Sequence, residues 1–343
     1  MRRARRTLGN SLGLSLVELL VAMAVSLVLL GGIYQIFFSS TTTYSVNENF
    51  SRLQENARFA MTFLERDVRQ AGYRGCRNDT AKFSNLLTDP TIFINNFAMP
   101  LEGFEAIGTK WDRDLPGVVT EERPGSDILA LRNQLEGTVT HLLQDLAALD
   151  DPLVIPPGTK DTPFKSAGGD LGMISDCQGA TVFHVPAFDF AAGKVSHLVR
   201  AGATVKPEDL DRLYQRNAEV SRVATVLYYV RNSPEGVPCL YRKIGSDDAT
   251  ALVEGVESMH ILYGVDDNDD QAADRYVAAS ATLPWQRVVS LRVGLLLRSL
   301  TQVQRGEIDS QVYAVNGQTI GPMNDRHFRQ VFLTTIGLRN RLL

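Results

Sequence analysis

The chain has 343 residues, of which 44% are hydrophobic and 22% charged, as in ordinary folded proteins and unlike disordered chains. Its formal net charge is −4, and its one dense basic stretch is MRRARR at the start, so the broad positive field that attracts nucleic acid is missing. Composition therefore excludes general disorder, and no nucleic-acid binding is expected.

The first predicted element is a membrane-spanning helix over residues 14–38. This apolar run would be about 37 Å long as a helix, which is enough to cross a hydrocarbon core of about 30 Å. Four arginines precede it, Arg2, Arg3, Arg5 and Arg6. This charge asymmetry predicts that the N-terminus stays in the cytoplasm while the rest of the chain is exported.

Glu18 lies inside this apolar run. A carboxylate at the centre of a membrane helix costs about 2.5 to 3.5 kcal/mol of insertion free energy on insertion scales. Such a residue is therefore expected to have an oppositely charged partner or a function. A cleaved secretory signal and a plain membrane anchor are alternative interpretations. Neither accounts for Glu18, and the stretch after the run, YQIFFSSTTTYS, offers no small-residue cleavage site.

Beyond the membrane, the same helix is predicted to continue over residues 39–72 with one apolar face. No proline occurs up to Ala71, and apolar residues recur at steps of three and four, whereas charged residues such as Arg66 and Asp67 fall largely between them. Gly72 is expected to end the helix. The apolar positions are Phe50, Leu53, Ala57, Ala60, Met61, Leu64, Val68 and Ala71.

The last predicted region, residues 223–343, is an antiparallel sheet domain. In VVSLRVGLLLRS (288–299) apolar residues alternate along the segment, which is the period of a half-buried strand. Four more segments have strand length and composition: RVATVLYYV, PCLYRKI, ESMHILYGV and RQVFLTTIGL. One face of this sheet is expected to cover the apolar stripe of the helix, which gives an α+β fold.

Residues 73–222 form a long insertion between the helix and the sheet. Stretches such as DPLVIPPGTKDTP and KSAGGD have the composition of loops. The strand-like segments SDILALRN and ATVFHVPAF indicate that the insertion is nevertheless folded, as an elaborated loop region or a subdomain.

The stretch GLSLVELL, from Gly13 to Leu20, resembles the N-terminal motif of the type IV pilin family: a glycine, a hydrophobic residue, three further positions and a glutamate. The resemblance implies that residues 1–13 are a leader peptide, that a prepilin peptidase cuts between Gly13 and Leu14, and that the new N-terminus is methylated. It also implies that Glu18 pairs with the N-terminal amine of a neighbouring subunit, which makes its charge tolerable in lipid.

Four further segments are similar to PilW-type minor pilins of Gram-negative type IV pili: QAGYRGC (70–76), LVEGVESMHILYGVDDNDD (252–270), VVSLRVGLLLRS (288–299) and FRQVFLTTIGLRN (328–340). This similarity implies the type IV pilin fold, a long N-terminal helix packed on a C-terminal antiparallel sheet with a large insertion between them. It also implies a structural subunit that helps to initiate pilus assembly at or near the tip. Minor pseudopilins of type II secretion share the N-terminal motif and are the main alternative.

The resemblance also implies partners and a location. The implied partners are other minor pilins and the major pilin through the N-terminal helix, the prepilin peptidase, the inner-membrane assembly platform and a large tip adhesin. The implied location is the inner membrane, in a single-pass topology with a periplasmic C-terminal domain, before incorporation into the extracellular pilus. No cofactor is implied.

The sequence contains no recognisable catalytic motif. The patterns H-E-x-x-H, C-x-x-C and G-x-x-x-x-G-K-[ST] are absent, and the histidines are scattered without ligand spacing. The pattern G-x-S-x-G occurs once, as GNSLG (9–13), within the implied leader peptide and without the strand before it that a nucleophile elbow requires. A non-enzymatic protein is therefore expected. A membrane-anchored periplasmic enzyme or binding protein is the alternative from another functional class. The five histidines are His141, His184, His197, His260 and His327.

Three cysteines would reach an oxidising compartment after export, where a pair commonly forms a disulfide. The pair Cys76 and Cys177 is favoured, because one follows the end of the helix and the other lies in the insertion. The pair Cys177 and Cys239 is the main alternative, and three free thiols are the remaining one.

The acidic run DDNDDQAAD (266–274) places carboxylate or amide oxygens at Asp266, Asn268 and Asp270, as in the first positions of a calcium loop. It departs from that pattern at Gln271, where a glycine is needed for the tight turn, and at Val277, where a bidentate glutamate is needed. A solvated acidic turn between two strands is the preferred interpretation. Calcium binding is the weaker option, and no metal site is predicted.

Overall fold

The protein is described here by a computed structural model that covers residues 15–75, 83–158, 164–165, 168–197, 210–302 and 308–341. The chain comprises two compact units, Met1–Ser51 and Arg52–Leu343. In the first unit the described residues are helical from Leu16 onwards, and the second unit contains the sheets.

The long helix α1 (Leu16–Gln70) has 55 residues and runs without a break. It ends just before Gly72, whose φ of +72° lies in the left-handed region that glycine adopts without strain. Of the described helices, α1 is the one that is long and apolar enough to cross a membrane. The predicted long helix is confirmed. The observed helix starts two residues after the expected start at residue 14 and ends two residues before the expected end at residue 72.

Twenty strands occur in the described part of the chain, all in the second unit. In chain order they are β1 (Phe83–Asn85), β2 (Leu101–Phe104), β3 (Ala106–Ile107), β4 (Lys110–Trp111), β5 (Ile128–Gln134), β6 (Thr140–His141), β7 (Leu153–Val154), β8 (Asp170–Asp176), β9 (Gly179–Val185), β10 (Phe188–Asp189), β11 (Lys194–Val195), β12 (Glu219–Asn232), β13 (Pro238–Ile244), β14 (Thr250–Glu254), β15 (Val256–Val265), β16 (Arg275–Val277), β17 (Val288–Arg298), β18 (Tyr313–Val315), β19 (Gln318–Ile320) and β20 (Arg329–Gly337). Short 3₁₀ turns occupy Phe93–Asn95, Trp285–Arg287 and Arg339–Arg341.

Two larger sheets dominate the second unit. One has nine strands and contains the path β1-β9-β8-β12-β13-β14, with β5 and β6 also paired to β12 and with β2 paired to β5. The other has four strands in the order β16-β15-β17-β20, all antiparallel. The remaining strands form the small sheets β10-β11-β7, β18-β19 and β3-β4.

One hydrophobic core joins the end of α1 to both larger sheets. The buried stripe of the helix belongs to the same cluster as Leu131 of β5, Val226 of β12, Ile261 of β15 and Leu291 of β17. The prediction of a helix packed on an antiparallel sheet is thus confirmed, as is the α+β class. The buried apolar residues of the stripe are Leu53, Ala57, Ala60, Leu64, Val68 and Ala71.

The insertion has a hydrophobic core of its own, which includes Leu153, Ile174, Phe183 and Tyr214. The sequence-based division at residue 222 falls within β12, and this strand pairs with β5, β6 and β8 on one side of the division and with β13 on the other.

Candidate functional site

The described part of α1 begins with a reciprocal pair of hydrogen bonds between Ser15 and Glu18. The Glu18 backbone N–H donates to Ser15 Oγ at 3.2 Å, and the Ser15 backbone N–H donates to Glu18 Oε2 at 3.0 Å. This is a capping box, in which a serine at the helix start and a glutamate three residues later satisfy two backbone donors. The carboxylate also lies in the first turn, where the helix dipole favours negative charge.

The helical segment that follows presents apolar side chains on all sides. Leu16, Val28 and Ile36 are 77%, 76% and 71% exposed, and from Leu19 to Asn47 the sequence contains no charged residue. A helix that is apolar all round is stable in lipid or against other apolar helices, but not in water. The carboxylate of Glu18 is therefore the one charged side chain of this surface.

At the other end of α1, Asp67 fixes the helix to the nine-stranded sheet. Its side chain is nearly fully buried, and its Oδ2 accepts hydrogen bonds from Tyr228 Oη at 2.6 Å and from Arg242 Nε at 2.9 Å. Arg242 Nη2 lies 2.8 Å from the same oxygen, and Arg66 Nε lies 3.3 Å from Oδ1. Burial of a carboxylate is tolerable with this many charge-assisted partners.

The electrostatics of this contact favour a neutral tyrosine. Burial, and then the Asp67 carboxylate, raise the pKa of Tyr228. The Tyr228 hydroxyl therefore keeps its proton and donates a hydrogen bond to the carboxylate. The sequence pattern places Asp67 between the positions of the apolar stripe, yet the structure buries it, because these partners hold it in the core.

The last turn of α1 has a partner for each of its final four backbone carbonyls, which no helical N–H can satisfy. Two are capped by side chains from distant segments, and two by the backbone of the following turn. The donors are Asn133 Nδ2 to Asp67 O at 2.9 Å, Ala71 N to Val68 O at 3.2 Å, Asn340 Nδ2 to Arg69 O at 3.4 Å, and Tyr73 N to Gln70 O at 3.1 Å. The helix end is thus held by β5 and by the segment after β20.

A second buried ion cluster lies around Arg329, at the start of β20. Its guanidinium, 1% exposed, lies 2.6 Å from Glu257, 2.9 Å from Asp309 and 2.6 Å from Asp325. Hydrogen bonds from Arg329 hold the pKa of Asp325 well below its usual range. The cluster ties the segment before β20 to β15.

The predicted disulfide involves Cys76, which lies outside the described residues. The chain just before it approaches the chain just before Cys177: a Cβ placed on Gly75 would lie 2.9 Å from Cβ of Ser175. Cys239 is a free, buried thiol, and burial raises its pKa. These contacts agree with the pair Cys76 and Cys177, which stays a prediction.

The acidic loop after β15 is organised by hydrogen bonds within the loop. The carboxylate of Asp266 accepts four backbone N–H groups, at distances from 2.7 to 3.3 Å. Burial opposes the charge, but these donors lower the pKa of Asp266. Asn268 Nδ2 donates to Asp270 at 3.2 Å. Within the described ranges, no group of three or more His, Cys, Asp or Glu side chains is arranged to hold a metal ion.

The comparisons with known proteins match both ends of this arrangement. Residues 8–34 match the family model for the prokaryotic N-terminal methylation motif. Residues 227–340 match the family model for type IV pilus-assembly protein W, PilW. Together, these are the two matches that a PilW-like pilin gives. No curated protein and no solved structure matches it.

The two matched regions correspond to distinct parts of the chain. The first contains Glu18 and the start of α1, and the second contains the whole four-stranded sheet. Tyr228, Arg242 and Asn340, which hold the end of α1, lie inside the PilW-type region, whereas Asp67 lies outside both regions. The methylation motif and the long apolar helix together support a membrane anchor formed by α1.

Sequence reasoning missed three parts of this site: the serine of the capping box, the buried Asp67 and the Arg329 cluster. The first had a signal, because Ser15 and Glu18 form the S-x-x-E pattern. The second also had one, because the apolar stripe advances by steps of three and four residues, and position 67 lies one step of three after Leu64. The Arg329 cluster joins residues up to 72 positions apart, so no local sequence pattern indicates these contacts.

Proposed function

We propose that this protein is a minor pilin, a structural and non-enzymatic subunit of the type IV pilus that helps to initiate assembly at or near the tip. The observation that carries this proposal is the PilW-type match over residues 227–340, since this region separates PilW-like subunits from other proteins with the same N-terminal motif. The buried contacts that join the region to α1 support a rigid subunit built for assembly.

Processing at the N-terminus is the second part of the proposal. A prepilin peptidase cuts between Gly13 and Leu14, and the new N-terminus at Leu14 is methylated. The arginines before the apolar run keep this bond at the cytoplasmic face of the inner membrane, while the sheet unit is exported to the periplasm. The methylation-motif match over residues 8–34 supports this assignment.

Glu18 is the proposed assembly contact. Before assembly its carboxylate has a weak partner, the Ser15 backbone N–H of the capping box. In the filament, the N-terminal amine of a neighbouring subunit provides a full positive charge in a medium of low dielectric, where an ion pair offsets much of the cost of desolvation. Exchange of the first partner for the second fixes the axial position of one helix against the next.

The proposed partners follow from the surfaces that α1 exposes. Its apolar segment packs against the same segment of the major pilin and of other minor pilins, because side chains that suit lipid also suit an apolar helix bundle. The prepilin peptidase, the inner-membrane assembly platform and a large tip adhesin are the remaining proposed partners.

Deletion of the gene, with parallel assays of surface pili and of protein secretion, tests the proposal. Loss of surface pili with normal secretion is expected, and re-expression of the full chain should restore the pili. Loss of secretion with normal pili would instead identify a minor pseudopilin of a type II secretion system, the machine that shares the N-terminal motif. Normal pili and normal secretion would contradict both assignments.

A further inference from the structure

The outer edge of the four-stranded sheet is formed by β20, which pairs with β17 alone. Ser299 N donates to Phe328 O at 2.8 Å, and Leu338 N donates to Val289 O at 2.9 Å, one at each end of the strand. Antiparallel pairing alternates between residues that bond across the ladder and residues that do not. The backbone groups of the even-numbered residues from Phe328 to Leu338 therefore face β17.

The odd-numbered residues of β20 consequently direct their N–H and C=O groups away from the sheet. In the part of the chain that the structure describes, no backbone group pairs with these outward groups. They present five successive donor and acceptor pairs in the arrangement that a further strand would match. The residues are Arg329, Val331, Leu333, Thr335 and Gly337.

This edge lacks the devices that usually protect a sheet from a further strand. Such devices are short length, proline, charged side chains and bulges. The other outer strand of the sheet, β16, is only three residues long. In contrast, β20 has nine residues, its pairing with β17 shows no register shift, and from Gln330 to Gly337 it contains neither a charge nor a proline. The charge of Arg329 is neutralised by its carboxylate partners.

Exposed apolar side chains accompany the edge. Leu333 of β20 is 58% exposed, and Ile308, next to the Asp309 that binds Arg329, is 54% exposed. Phe328, whose carbonyl accepts the first bond of the ladder, and Leu300, which follows the donor Ser299, are also exposed. Apolar side chains beside free backbone groups are the combination that binds an extended peptide, since the backbone gives affinity and the side chains give selectivity.

Charge at the two ends of β20 indicates what kind of strand fits. Arg326 precedes the strand and Arg339 follows it, and both are exposed without an ion pair to any described residue. Antiparallel pairing with a second copy would bring Arg326 of one chain close to Arg339 of the other, and like charges at such positions are unfavourable. A strand with acidic residues at its ends would instead find an opposite charge at both.

We propose that the free edge of β20 binds an extended segment of a different protein, about nine to eleven residues long, with alternating apolar side chains and acidic residues at both ends. The added strand continues the four-stranded sheet. The inference does not depend on the proposed function, since it follows from the free backbone groups and the charges at the ends of β20.

The test uses the full-length chain in detergent micelles and a synthetic peptide of alternating threonine and valine with two aspartates at each end. Amide hydrogen exchange of β20 is followed by NMR with and without the peptide. The outward amides of Val331 and Leu333 should exchange quickly in the free protein and at least about tenfold more slowly with the peptide, while the inward amide of Phe332 is protected in both. Protection of the outward amides in the free protein would overturn the proposal, because the edge would already be covered by the chain itself.

Control peptides separate strand addition from adhesion to an apolar surface. The same peptide N-methylated at alternate residues keeps its side chains but loses its edge donors, and it should bind at least about tenfold more weakly. A version with lysine ends should bind weakly as well, and R326E together with R339E should reverse this preference. Equal binding of all three peptides would refute the proposal, as would absence of binding at about 1 mM peptide.

Two substitutions at one position provide the matched protein variants. L333P removes an outward N–H but leaves every hydrogen bond to β17 in place, and a strand at a sheet edge tolerates such a proline. L333A keeps the N–H and shortens the side chain. Peptide binding should be lost with proline and weakened less with alanine. The N-methylated peptide keeps the test decisive if the proline variant does not fold. Self-association of the free chain through β20 would overturn the choice of partner, because the edge would then bind a second copy.

Discussion

Replacement of Asp67 by alanine should be among the most destabilising single changes in the end of α1. The variant D67A loses the 2.6 Å hydrogen bond from Tyr228 and both contacts from Arg242. Arg242 and the Tyr228 hydroxyl then remain in the core without their acceptor. The loss of one partner costs more than the pair itself contributes, because the other partner stays buried and uncompensated.

The expected loss of unfolding free energy is about 3 kcal/mol, at the lower end of the range of about 3 to 5 kcal/mol for a broken buried pair. The lower end applies because the Arg242 side chain is 19% exposed, so that water reaches part of it. The variant Y228F removes one hydrogen bond and keeps the ion pair, so about 1 kcal/mol is expected. The triple variant D67L/Y228F/R242M removes both charges and the tyrosine hydroxyl, and its stability should lie within about 1 kcal/mol of the wild type.

Chemical denaturation of the full-length chain in detergent measures these differences. Tryptophan fluorescence is a suitable signal, because Trp285 belongs to the core that also contains the stripe of α1. The variant E65A is the matched control: it breaks the exposed ion pair with Arg69 on the same helix, and less than about 0.5 kcal/mol is expected. If D67A destabilises the protein no more than E65A does, the buried contact is not what holds the helix end to the sheet.

Three further predictions concern other parts of the chain. E18Q keeps the capping box but removes the charge, so the amount in the membrane should be unchanged while incorporation into sheared pili falls by about tenfold or more, as measured by immunoblot. Non-reducing digestion of the exported protein, followed by mass spectrometry, should yield a peptide that links Cys76 to Cys177, and in the chain-entropy model this bridge contributes about 4 to 5 kcal/mol. Because Arg329 lowers the pKa of Asp325 in the folded state, this carboxylate stabilises the fold above its ordinary pKa of about 3.9, and the contribution is lost as pH falls further. D325N should therefore be less stable than the wild type at pH 7, with a difference that shrinks below about pH 4 in thermal unfolding.

Each of these predictions has an outcome that would contradict it. For the assembly contact it is normal incorporation of E18Q, and S15A serves as the control that weakens the cap while it keeps the charge. For the bridge it is alkylation of all three cysteines without reduction, or a link to the third cysteine. For the carboxylate it is a stability difference between D325N and the wild type that stays constant from pH 7 to about pH 2.

The helix and the principal strands could be predicted from the sequence because both depend on local periodicity. The stripe from Leu53 to Ala71 repeats at three and four residues, and the strand that became β17 alternates at every second residue. The insertion was harder, since strands such as β3, β4 and β7 have two residues each. A segment of two residues has no period to detect.

The candidate site likewise has one part that the sequence predicts and one part that it does not. The motif around Glu18 lies within eight consecutive residues, so the sequence contains it completely. The contacts that hold the end of α1 do not have this property, because Asp67 and Arg242 are 175 positions apart. A buried charge is recognised only when its partner is known, and the partner is brought close by the pairing of β12 with β13.

The mass of the mature N-terminus tests the central claim most directly, namely that this chain is a processed pilin. The protein is isolated from membranes of cells with an active prepilin peptidase, and its N-terminal peptide is analysed by mass spectrometry. We expect a chain that begins at Leu14 and carries one methyl group on its amine. An uncut chain, or a mature N-terminus at any other residue, would contradict the account.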